Sequence, residues 1–300
     1  MDLSKLTELD VAGKRVLLRL DLDTNPDPND LRIKASGETL DYLKEKGAEI
    51  IILGHRGRPD GKVDESLSLK PFQPIFDKWG AKVEENLRFD PGEESDDPEF
   101  AKKLAGLGDV FVNEAFASSH REHASIVGLP KLLPHAAGFR FEKEVENLSK
   151  VFDNPQRPLV FIVGGSKNDK IDYIKNLETL SDKILIGGRL HEYYGDRALE
   201  SVRNGSGQDK LIIANLVQDK EDITLNSVEV FEKEIKKAKT IVLAGPMGRY
   251  EVEGHGQGTE RIFKAVSASS AFKIVGGGDS LLIVSLYNLG DKFDWFSVGG

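Results

Sequence analysis

The chain has 300 residues, with 50 acidic and 41 basic side chains and a net charge of -9. This balance argues against broad nucleic-acid binding, which needs a basic surface, and the absence of cysteine excludes disulfides, thiolate metal sites and a thiol nucleophile. No apolar run reaches the roughly 18 residues that a membrane span requires, and the N-terminus lacks the features of a signal peptide. We therefore expect a cytoplasmic protein without nucleic-acid or membrane partners.

Apolar, β-branched segments alternate with helical patterns along the chain. The predicted strands are Arg15–Leu20, Glu49–Leu53, Val110–Val112, Leu159–Val163, Lys183–Ile186, Leu211–Ala214, Thr240–Leu243 and Phe272–Val275. The predicted helices include Ala35–Lys46, Leu69–Trp79, Pro98–Leu107, Ile171–Leu180 and Val228–Ala238. This alternation predicts parallel sheets that are covered by helices on both faces.

A segment near the middle of the chain, Phe141–Pro158, predicts a connecting helix. Its apolar residues recur at helical spacing, and "DNPQRP" ends the helix before the next strand. We expect two Rossmann-like α/β domains, each a parallel sheet flanked by helices, over residues 1–140 and 158–300, joined by a helix and hinge over 141–157. A single large sheet, in which this helix is one of many, remains an alternative.

Basic side chains gather where the predicted strands of the first half end. They are Arg32, His55, Arg58, Arg88, His120, Arg121 and His123. Ligands bind beyond the carboxyl ends of strands in open α/β sheets, and the planar fork of arginine matches phosphate and carboxylate. Any one of these residues could be a solvated surface charge, but together they predict a site for a small anion. Asp21 and Asp23 could bind hydroxyl groups of that ligand or orient the arginines.

Glycine-rich loops follow the strands of the second half. They are "VGGSKNDK" (Val163–Lys170), "GPMG" (Gly245–Gly248) and "GGGDS" (Gly276–Ser280). Each could be a simple tight turn, and none has Walker A spacing. However, N–H groups at helix N-termini bind phosphate, and Mg²⁺ usually takes one or two carboxylates plus phosphate oxygens. The loops together predict a nucleotide site, with Asp279 as a ligand of Mg²⁺.

An anion site in one domain and a nucleotide site in the other fit phosphoryl transfer. This reaction needs mainly positioning and charge neutralisation from the protein. It must also exclude water, which two domains that close on each other would do.

The chain contains, in order, "RVLLRLDLD", "GAEIIILGHRGRPDG", "ENLRFDPGEE", "VFVNEAFASSHREH", "VGGSKNDKI", "AGPMGRYEVE" and "VGGGDS". This series resembles the phosphoglycerate kinase family over nearly the whole chain. The resemblance implies the step of glycolysis and gluconeogenesis in which a phosphoryl group moves between 1,3-bisphosphoglycerate and ADP, giving 3-phosphoglycerate and MgATP. It implies domain closure, charge neutralisation without a covalent intermediate, and a monomer.

The resemblance also assigns residues. The acid-phosphate site of the family falls on Asp21, Asp23, Arg32, His55, Arg58, Arg88 and Arg121. Its nucleotide site falls on Gly164, Gly165, Lys167, Lys170, Pro246, Glu251, Gly276, Gly277, Gly278, Asp279 and Ser280. The implied catalytic residues are Arg32, Lys167, Gly277 and Gly278, which contact or face the transferring phosphates. Glu251 is implied to bind the ribose and Asp279 to bind Mg²⁺.

Several positions depart from the family pattern. Asp23 replaces an asparagine, Arg189 replaces a glycine beside the adenine site, and Ala244 replaces an asparagine near the nucleotide. The loop Lys167–Lys170 is one residue shorter than usual, and the sequence ends at "SVGG", where the family continues into a helix and tail. Arg56 replaces a leucine, so we expect it to pair with an acid such as Asp23, or to face water, rather than to bind substrate.

These departures leave two alternatives open. One is a related or truncated protein that binds phosphoglycerate or nucleotide without useful turnover. The other is a kinase of a different small carboxylate.

Overall fold

The computed structural model describes residues 3–167, 170–194 and 210–298. The chain divides into two compact units between Glu146 and Asn147, called unit 1 and unit 2 below. Each unit is built around its own parallel β-sheet. Among the described residues, no helix combines the length and the apolar character that crossing a membrane would require.

The sheet of unit 1 has five parallel strands. They are β1 (Arg15–Arg19), β2 (Glu49–Leu53), β3 (Lys82–Val83), β4 (Val110–Asn113) and β5 (His135–Ala137). The spatial order is β3-β2-β1-β4-β5. The chain therefore builds outward from β1 in one direction and then in the other, which makes β1 and β4 the two strands at the topological switch point.

The helices of unit 1 cover both faces of its sheet. They are α1 (Leu31–Ala35), α2 (Gly37–Glu45), α3 (Gln73–Phe76), α4 (Pro91–Glu94), α5 (Pro98–Ala105) and α6 (Leu129–Leu132). A longer helix, α7 (Phe139–Phe152), begins in unit 1 and ends in unit 2. Side chains alternate between faces along a strand, so Leu18 joins the apolar core on one face while Leu17 joins the core on the other.

The sheet of unit 2 has six parallel strands. They are β6 (Leu159–Val163), β7 (Lys183–Ile186), β8 (Leu211–Ile213), β9 (Thr240–Ala244), β10 (Phe272–Gly276) and β11 (Trp295–Ser297), in the order β11-β10-β9-β6-β7-β8. The helices among its described residues are α8 (Lys170–Leu180), α9 (Leu225–Lys237), α10 (Gln257–Ala268) and α11 (Gly278–Leu286). Here the switch point lies between β6 and β9.

The predicted fold class is confirmed, since the chain forms two parallel sheets rather than the single sheet of the alternative. All eight predicted strands are present, each within one residue of its predicted ends. The predicted helix Ala35–Lys46 is in fact α1 and α2, which meet at Ser36. The prediction of one continuous helix over Leu69–Trp79 was wrong, since α3 is short and is flanked by 3₁₀ turns. The reason is that Pro71 and Pro74 have no N–H group to donate to the preceding turn of a helix.

Candidate active site

Three loops of unit 1 leave its sheet at the same edge. Arg19 of β1 lies beside Leu53 of β2 and Asn113 of β4, so the segments after these residues start together. The turn Leu87–Phe89 joins them, because the N–H of Leu87 donates to the carbonyl of Gly54 over 3.0 Å. These segments and α1 carry the predicted acid-phosphate residues Asp21, Asp23, Arg32, His55, Arg58, Arg88 and Arg121.

Two aspartates hold neighbouring groups in this edge. The Nε atom of Arg32 lies 3.6 Å from Oδ2 of Asp21, and Nη1 of Arg32 donates to the backbone carbonyl of Asp23. The side chain of Asp23 accepts a hydrogen bond of 2.8 Å from the N–H of Gly57. Asp23 thus ties the loop after β1 to the loop after β2, and Arg32 is oriented from two sides.

Arg88 lies beneath the surface of this edge. Arg88 is 1% exposed, and its Nη1 donates to the carbonyl of Gly57 over 2.6 Å. Its Nε lies 3.2 Å from a carboxylate oxygen of Glu94. Its Nη2 is buried and has no hydrogen-bond partner in the described part of the chain. Arg88 therefore holds the loop after β2 and keeps one donor group uncommitted.

Arg58 and Arg121 are the open cations of this edge. Arg58 is exposed and Arg121 is partly exposed. Neither guanidinium group has a hydrogen bond or an ion pair with any residue that the structure describes. Their donor groups are available to an anionic ligand, together with the exposed imidazole of His120 in the same segment as Arg121.

Arg56 is not part of this open set. Its Nη1 donates to the carbonyl of Ser66 over 3.1 Å, and its Nη2 donates to Oδ1 of Asn25 over 3.2 Å. The expected pairing with Asp23 is not present among the described residues; Arg56 is partly exposed, and its guanidinium group donates to Ser66 and Asn25 instead. The residue acts as a brace between two loops.

His55 and His123 are buried rather than exposed. Burial, followed by the charge of Arg19 and then of other nearby cations, lowers the pKa of His55 to about 2. Burial also lowers the pKa of His123, whose Nδ1 lies 3.8 Å from Oε1 of the buried Glu93. Both imidazoles are therefore neutral at neutral pH. Neither Arg19 nor Glu93 was among the residues predicted for the site; the one signal for Arg19 was a charged residue inside the apolar run "RVLLRL".

The loops after β6, β7 and β9 interlock in unit 2. The N–H of Gly165 donates to the carbonyl of Pro246 over 2.9 Å, and the N–H of Gly188 donates to the carbonyl of Met247 over 3.0 Å. A β-carbon at Gly164 would lie 2.0 Å from the carbonyl oxygen of Pro246. Only glycine allows the backbones to approach this closely at the switch point between β6 and β9.

The two predicted phosphate lysines have different environments. Lys170 starts α8, and its Nζ donates to the carbonyl of Gly164 over 2.6 Å. Lys167 is exposed at the end of the glycine loop. Residues 168 and 169, where the loop is shorter than in the family, lie outside the described residues.

The third glycine loop opens α11. Gly276 ends β10, Gly277 has φ +89°, and a β-carbon at Gly277 or Gly278 would meet no atom within 4 Å. None of the side chains that the structure describes caps the first turn, so its N–H groups are available to phosphate. The hydroxyl of Ser280 instead accepts a hydrogen bond of 2.7 Å from the N–H of Gly245 and fixes the loop after β9.

Asp279 fits the role of a ligand for Mg²⁺ that is bound to phosphate. It is exposed in the first turn of α11 and makes no hydrogen bond or ion pair with the residues that the structure describes. In the described part of the chain, no three histidines or carboxylates lie close enough together to form a metal site. The remaining ligands of a Mg²⁺ ion at Asp279 would therefore be phosphate oxygens. Burial, then Glu251 and then Asp279 raise the pKa of Tyr250, which shows that both acids lie near one tyrosine.

Two positions of unit 2 at which the chain differs from the family pattern are Arg189 and Ala244. Nη2 of Arg189 lies 3.0 Å from Oε2 of Glu192, and Nζ of Lys220 lies 3.4 Å from Oε1 of the same carboxylate. A cleft beyond β7 and β8 is lined in part by Glu192 and Lys220. Ala244 ends β9, where it pairs with Val163 of β6 and Gly276 of β10, and its carbonyl accepts a hydrogen bond of 2.9 Å from the N–H of Gly164. The side chain of Arg189 therefore turns into an ion-pair network beside that cleft.

The chain is similar to known phosphoglycerate kinases over nearly its whole length. The family model described as phosphoglycerate kinase matches residues 6–84, 78–202 and 201–300. A phosphoglycerate kinase from Herpetosiphon aurantiacus is 35% identical over 373 aligned positions, which cover 99% of this chain and 95% of the relative. One from Borreliella burgdorferi is 36% identical and covers 96% of this chain and 92% of the relative. Because 373 positions exceed the 300 residues of the chain, the alignment contains gaps on the side of this chain.

Solved structures give the same result. The phosphoglycerate kinase from Coxiella burnetii has a TM-score of 0.81 and 29% identity, covering 100% of this chain and 94% of that chain. The enzyme from Pyrococcus horikoshii has a TM-score of 0.79 at 24% identity, covering 99% and 94%, and supports the fold alone. The chain therefore belongs to the phosphoglycerate kinase family and transfers a phosphoryl group between 1,3-bisphosphoglycerate and ADP.

Proposed function

We propose that unit 1 binds the phosphoglycerate and unit 2 binds the nucleotide, each at the carboxyl edge of its own sheet. The observation that carries this proposal is the contrast between the edges. The edge of unit 1 offers open guanidinium groups at Arg58 and Arg121, and the edge of unit 2 offers uncapped helix N–H groups at Gly277 and Gly278. Guanidinium forks match a carboxylate or phosphate ester, and glycine loops match a polyphosphate.

In unit 1, four side chains would hold the acid phosphate. Arg58 and Arg121 provide full forks, Arg88 provides its free Nη2, and His55 provides a neutral imidazole. Arg32 is held by Asp21 and the backbone of Asp23. We assign Arg32 to the phosphoryl group that is transferred, where its positive charge would offset the negative charge of that group in the transition state.

In unit 2, we assign the exposed Lys167 and the N–H groups of Gly277 and Gly278 to the transferring phosphoryl. The other nucleotide contacts that we propose are Gly164, Gly165, Lys170, Pro246, Glu251, Gly276, Asp279 and Ser280. Ser280 would act mainly by fixing the loop of Gly245. Mg²⁺, held by Asp279, would neutralise charge on the phosphate oxygens of the nucleotide.

The chemistry requires no general base and no covalent intermediate. The terminal phosphate oxygen of ADP is already anionic when it forms the new O–P bond, and the carboxylate of 3-phosphoglycerate leaves with the electrons of the old one. The protein has to position the two ligands and compensate charge. Lys167 and Arg32 are the cations that we assign to this task.

A second candidate function is binding without useful turnover. The observation that favours it is the Arg189–Glu192–Lys220 network, which places charge where the family has a glycine beside the adenine site. Such charges would oppose binding of an apolar base unless the base displaces or stacks on them.

A coupled assay with MgATP and 3-phosphoglycerate, combined with calorimetric titration of each ligand alone, separates these candidates. We expect turnover and binding of both ligands. Binding of 3-phosphoglycerate without turnover would support the second candidate, and binding of neither ligand would contradict both. We also propose a cytoplasmic monomer without nucleic-acid partners, in keeping with the net charge of -9; sedimentation would test the monomer.

A further inference from the structure

Arg19 is a buried cation at the end of β1 that the proposed mechanism does not use. Its residue has no solvent exposure. The guanidinium group donates to three acceptors: the carbonyl of Leu20, the hydroxyl oxygen of Ser125 at 3.1 Å from Nε, and Nδ1 of His55 at 2.7 Å from Nη2. A buried arginine with this many fixed contacts has one orientation.

The contact with Ser125 is itself fixed by a buried carboxylate. The hydroxyl of Ser125 donates to Oε1 of Glu93 over 2.5 Å, and its backbone N–H donates to Oε2 over 3.0 Å. Because the hydroxyl hydrogen is used by Glu93, the oxygen of Ser125 can only accept from Arg19. Glu93 and Ser125 are buried, as is Arg19. The order of donors and acceptors is therefore determined along the whole chain of contacts from Glu93 to His55.

The last contact determines the state of His55. A guanidinium group has donors and no acceptor, so Nδ1 of His55 must be the acceptor and cannot carry a hydrogen. A neutral imidazole with a bare Nδ1 carries its hydrogen on Nε2. We propose that Arg19 is a positioning residue that fixes His55 in the Nε2–H tautomer, so that His55 offers a neutral hydrogen-bond donor to the phosphoglycerate. The identity of this ligand rests on the proposed function; the tautomer does not.

Three nearby arginines explain why a neutral donor is useful. Arg19 from β1, Arg88 from the turn Leu87–Phe89 and Arg121 from the segment after β4 oppose a positive charge on the imidazole of His55, in addition to burial. His123, in the same segment as Arg121, would add to this repulsion only in its protonated form. An imidazolium here would weaken the arginine cluster by repulsion. A neutral N–H contributes a hydrogen bond without adding charge, and it does not depend on protonation in the range where histidine ordinarily titrates.

Nitrogen NMR of the full chain tests the tautomer directly. The protein has only six histidines, and ¹⁵N-histidine labelling with a His55→Asn variant assigns the signals of His55. We expect Nε2 to carry the hydrogen and Nδ1 to be bare, with no change from mildly alkaline to mildly acidic pH. A hydrogen on Nδ1, averaged tautomers, or titration near the ordinary histidine value of about 6.5 would overturn the proposal.

Variants test whether Arg19 causes this state. Arg19→Met removes the donors, and we expect averaged tautomers and a KM for 3-phosphoglycerate that rises about tenfold and becomes dependent on pH. Arg19→Lys keeps a side chain that only donates, and we expect it to retain the Nε2–H signal. The control is Arg15→Met on the same strand, where the arginine pairs with the exposed Asp109; its His55 signals should not change.

The outcomes separate this inference from the proposed function. An unchanged tautomer in a folded Arg19→Met variant overturns the role of Arg19. If Arg19→Met does not fold, the wild-type spectrum and Arg19→Lys still decide. Addition of 3-phosphoglycerate should shift the Nε2–H signal. A fixed tautomer without that shift would contradict the assignment of His55 to the substrate site, while leaving the positioning role of Arg19 supported.

Discussion

At the scale of single residues, the arginines of unit 1 divide into those with partners in the protein and those without. Arg19, Arg56 and Arg88 donate to loop carbonyls or to buried side chains. Arg58 and Arg121 make no such contacts with the described residues. Replacing Arg88 would therefore disturb the loop after β2 as well as the ligand, whereas replacing Arg121 should report on the ligand alone.

We predict that Arg121→Ala raises the KM for 3-phosphoglycerate by about 10- to 100-fold, since hydrogen bonds to charged groups contribute about 1.5–3 kcal/mol. The free energy of unfolding should change by less than about 0.5 kcal/mol, as for other surface positions. Steady-state kinetics and urea unfolding measure the two effects. Arg15→Ala, which breaks an exposed ion pair with Asp109 and a hydrogen bond to the carbonyl of Gly106, is the control. An unchanged KM for Arg121→Ala would remove this residue from the site.

We predict that Lys167→Ala lowers kcat far more than it raises the KM for the nucleotide. The reason is that an exposed lysine assigned to the moving phosphoryl acts mainly in the transition state. A loss of about 100-fold or more in kcat is the scale expected for one electrostatic contact. Lys175→Ala on α8, where the lysine pairs with Asp172, is the control. Equal kcat values for the two variants would contradict the catalytic role of Lys167.

At the scale of elements, the start of α7 is held by a carboxylate from the end of β4. Glu114 accepts hydrogen bonds from the backbone N–H groups of Arg140 at 3.2 Å and Phe141 at 3.1 Å, and from the hydroxyl of Thr39 at 2.6 Å. The hydroxyl of Thr39 in turn accepts from the N–H of Phe139. Glu114 thereby satisfies N–H groups that the first turn of a helix leaves unpaired.

We predict that Glu114 makes stability depend on pH. Burial raises its pKa to about 7 from an ordinary 4.5. The folded state therefore holds this proton more tightly, and the contribution to stability is complete below pH 4.5 and is lost as pH rises through 7. The loss is at most about 3 kcal/mol. Urea unfolding across this range should show a decline that is absent in Glu114→Gln, because glutamine does not titrate.

Other acids also titrate, so the comparison needs an exposed acid as its control. Glu45→Gln at the end of α2 should keep the decline of the wild-type protein. A Glu114→Gln variant with the same decline as the wild type would show that Glu114 is not its source.

The N-terminus of α11 permits a test of phosphate binding that is separate from stability. A β-carbon at Gly278 would meet no atom of the protein within 4 Å, and the residue begins the helix. We predict that Gly278→Ala leaves stability unchanged or slightly higher, since alanine favours a helix. It should raise the KM for MgATP by about tenfold, because the methyl group occupies the space that a phosphate needs.

Gly37→Ala is the matched control for this test. Gly37 begins α2, and a β-carbon there also meets no atom within 4 Å. It should have the same small effect on stability and none on the KM for MgATP. If Gly278→Ala and Gly37→Ala had the same KM for MgATP, the phosphates would not bind at the N-terminus of α11.

At the scale of the whole molecule, the two units have separate sheets and separate apolar cores. We predict that 3-phosphoglycerate alone slows hydrogen exchange in the loops after β1, β2 and β4. MgATP alone should slow exchange in the loops after β6, β9 and β10. A ligand at about 100 times its Kd stabilises the folded site by about 2.7 kcal/mol. Mass spectrometry of the full chain would detect the slower exchange of the loop amides that follows from this. If either ligand slowed hydrogen exchange in the loops of the other unit, the assignment of one ligand to each unit would be contradicted.

The sequence predicted less where an element is short or lies at an edge. The strands β3, β5 and β11 have two or three residues each and carry no long β-branched run, so they were not predicted. They exist because the neighbouring strand offers unpaired N–H and carbonyl groups along its edge. That requirement is a property of the assembled sheet and leaves little trace in the local sequence.

The two α/β sheets could be predicted from the sequence alone, because apolar strands, helix periodicity and glycine turns are local patterns. The sequence likewise shows which strand ends carry arginine and which carry glycine, and thereby the family. Which of these groups lack partners in the protein became known from the folded structure. The partners of Arg19 lie 36 and 106 residues away, and they meet because parallel strands bring their carboxyl ends to one edge. Hydrogen bonds across that edge separate the bracing arginines from those that remain open to a ligand.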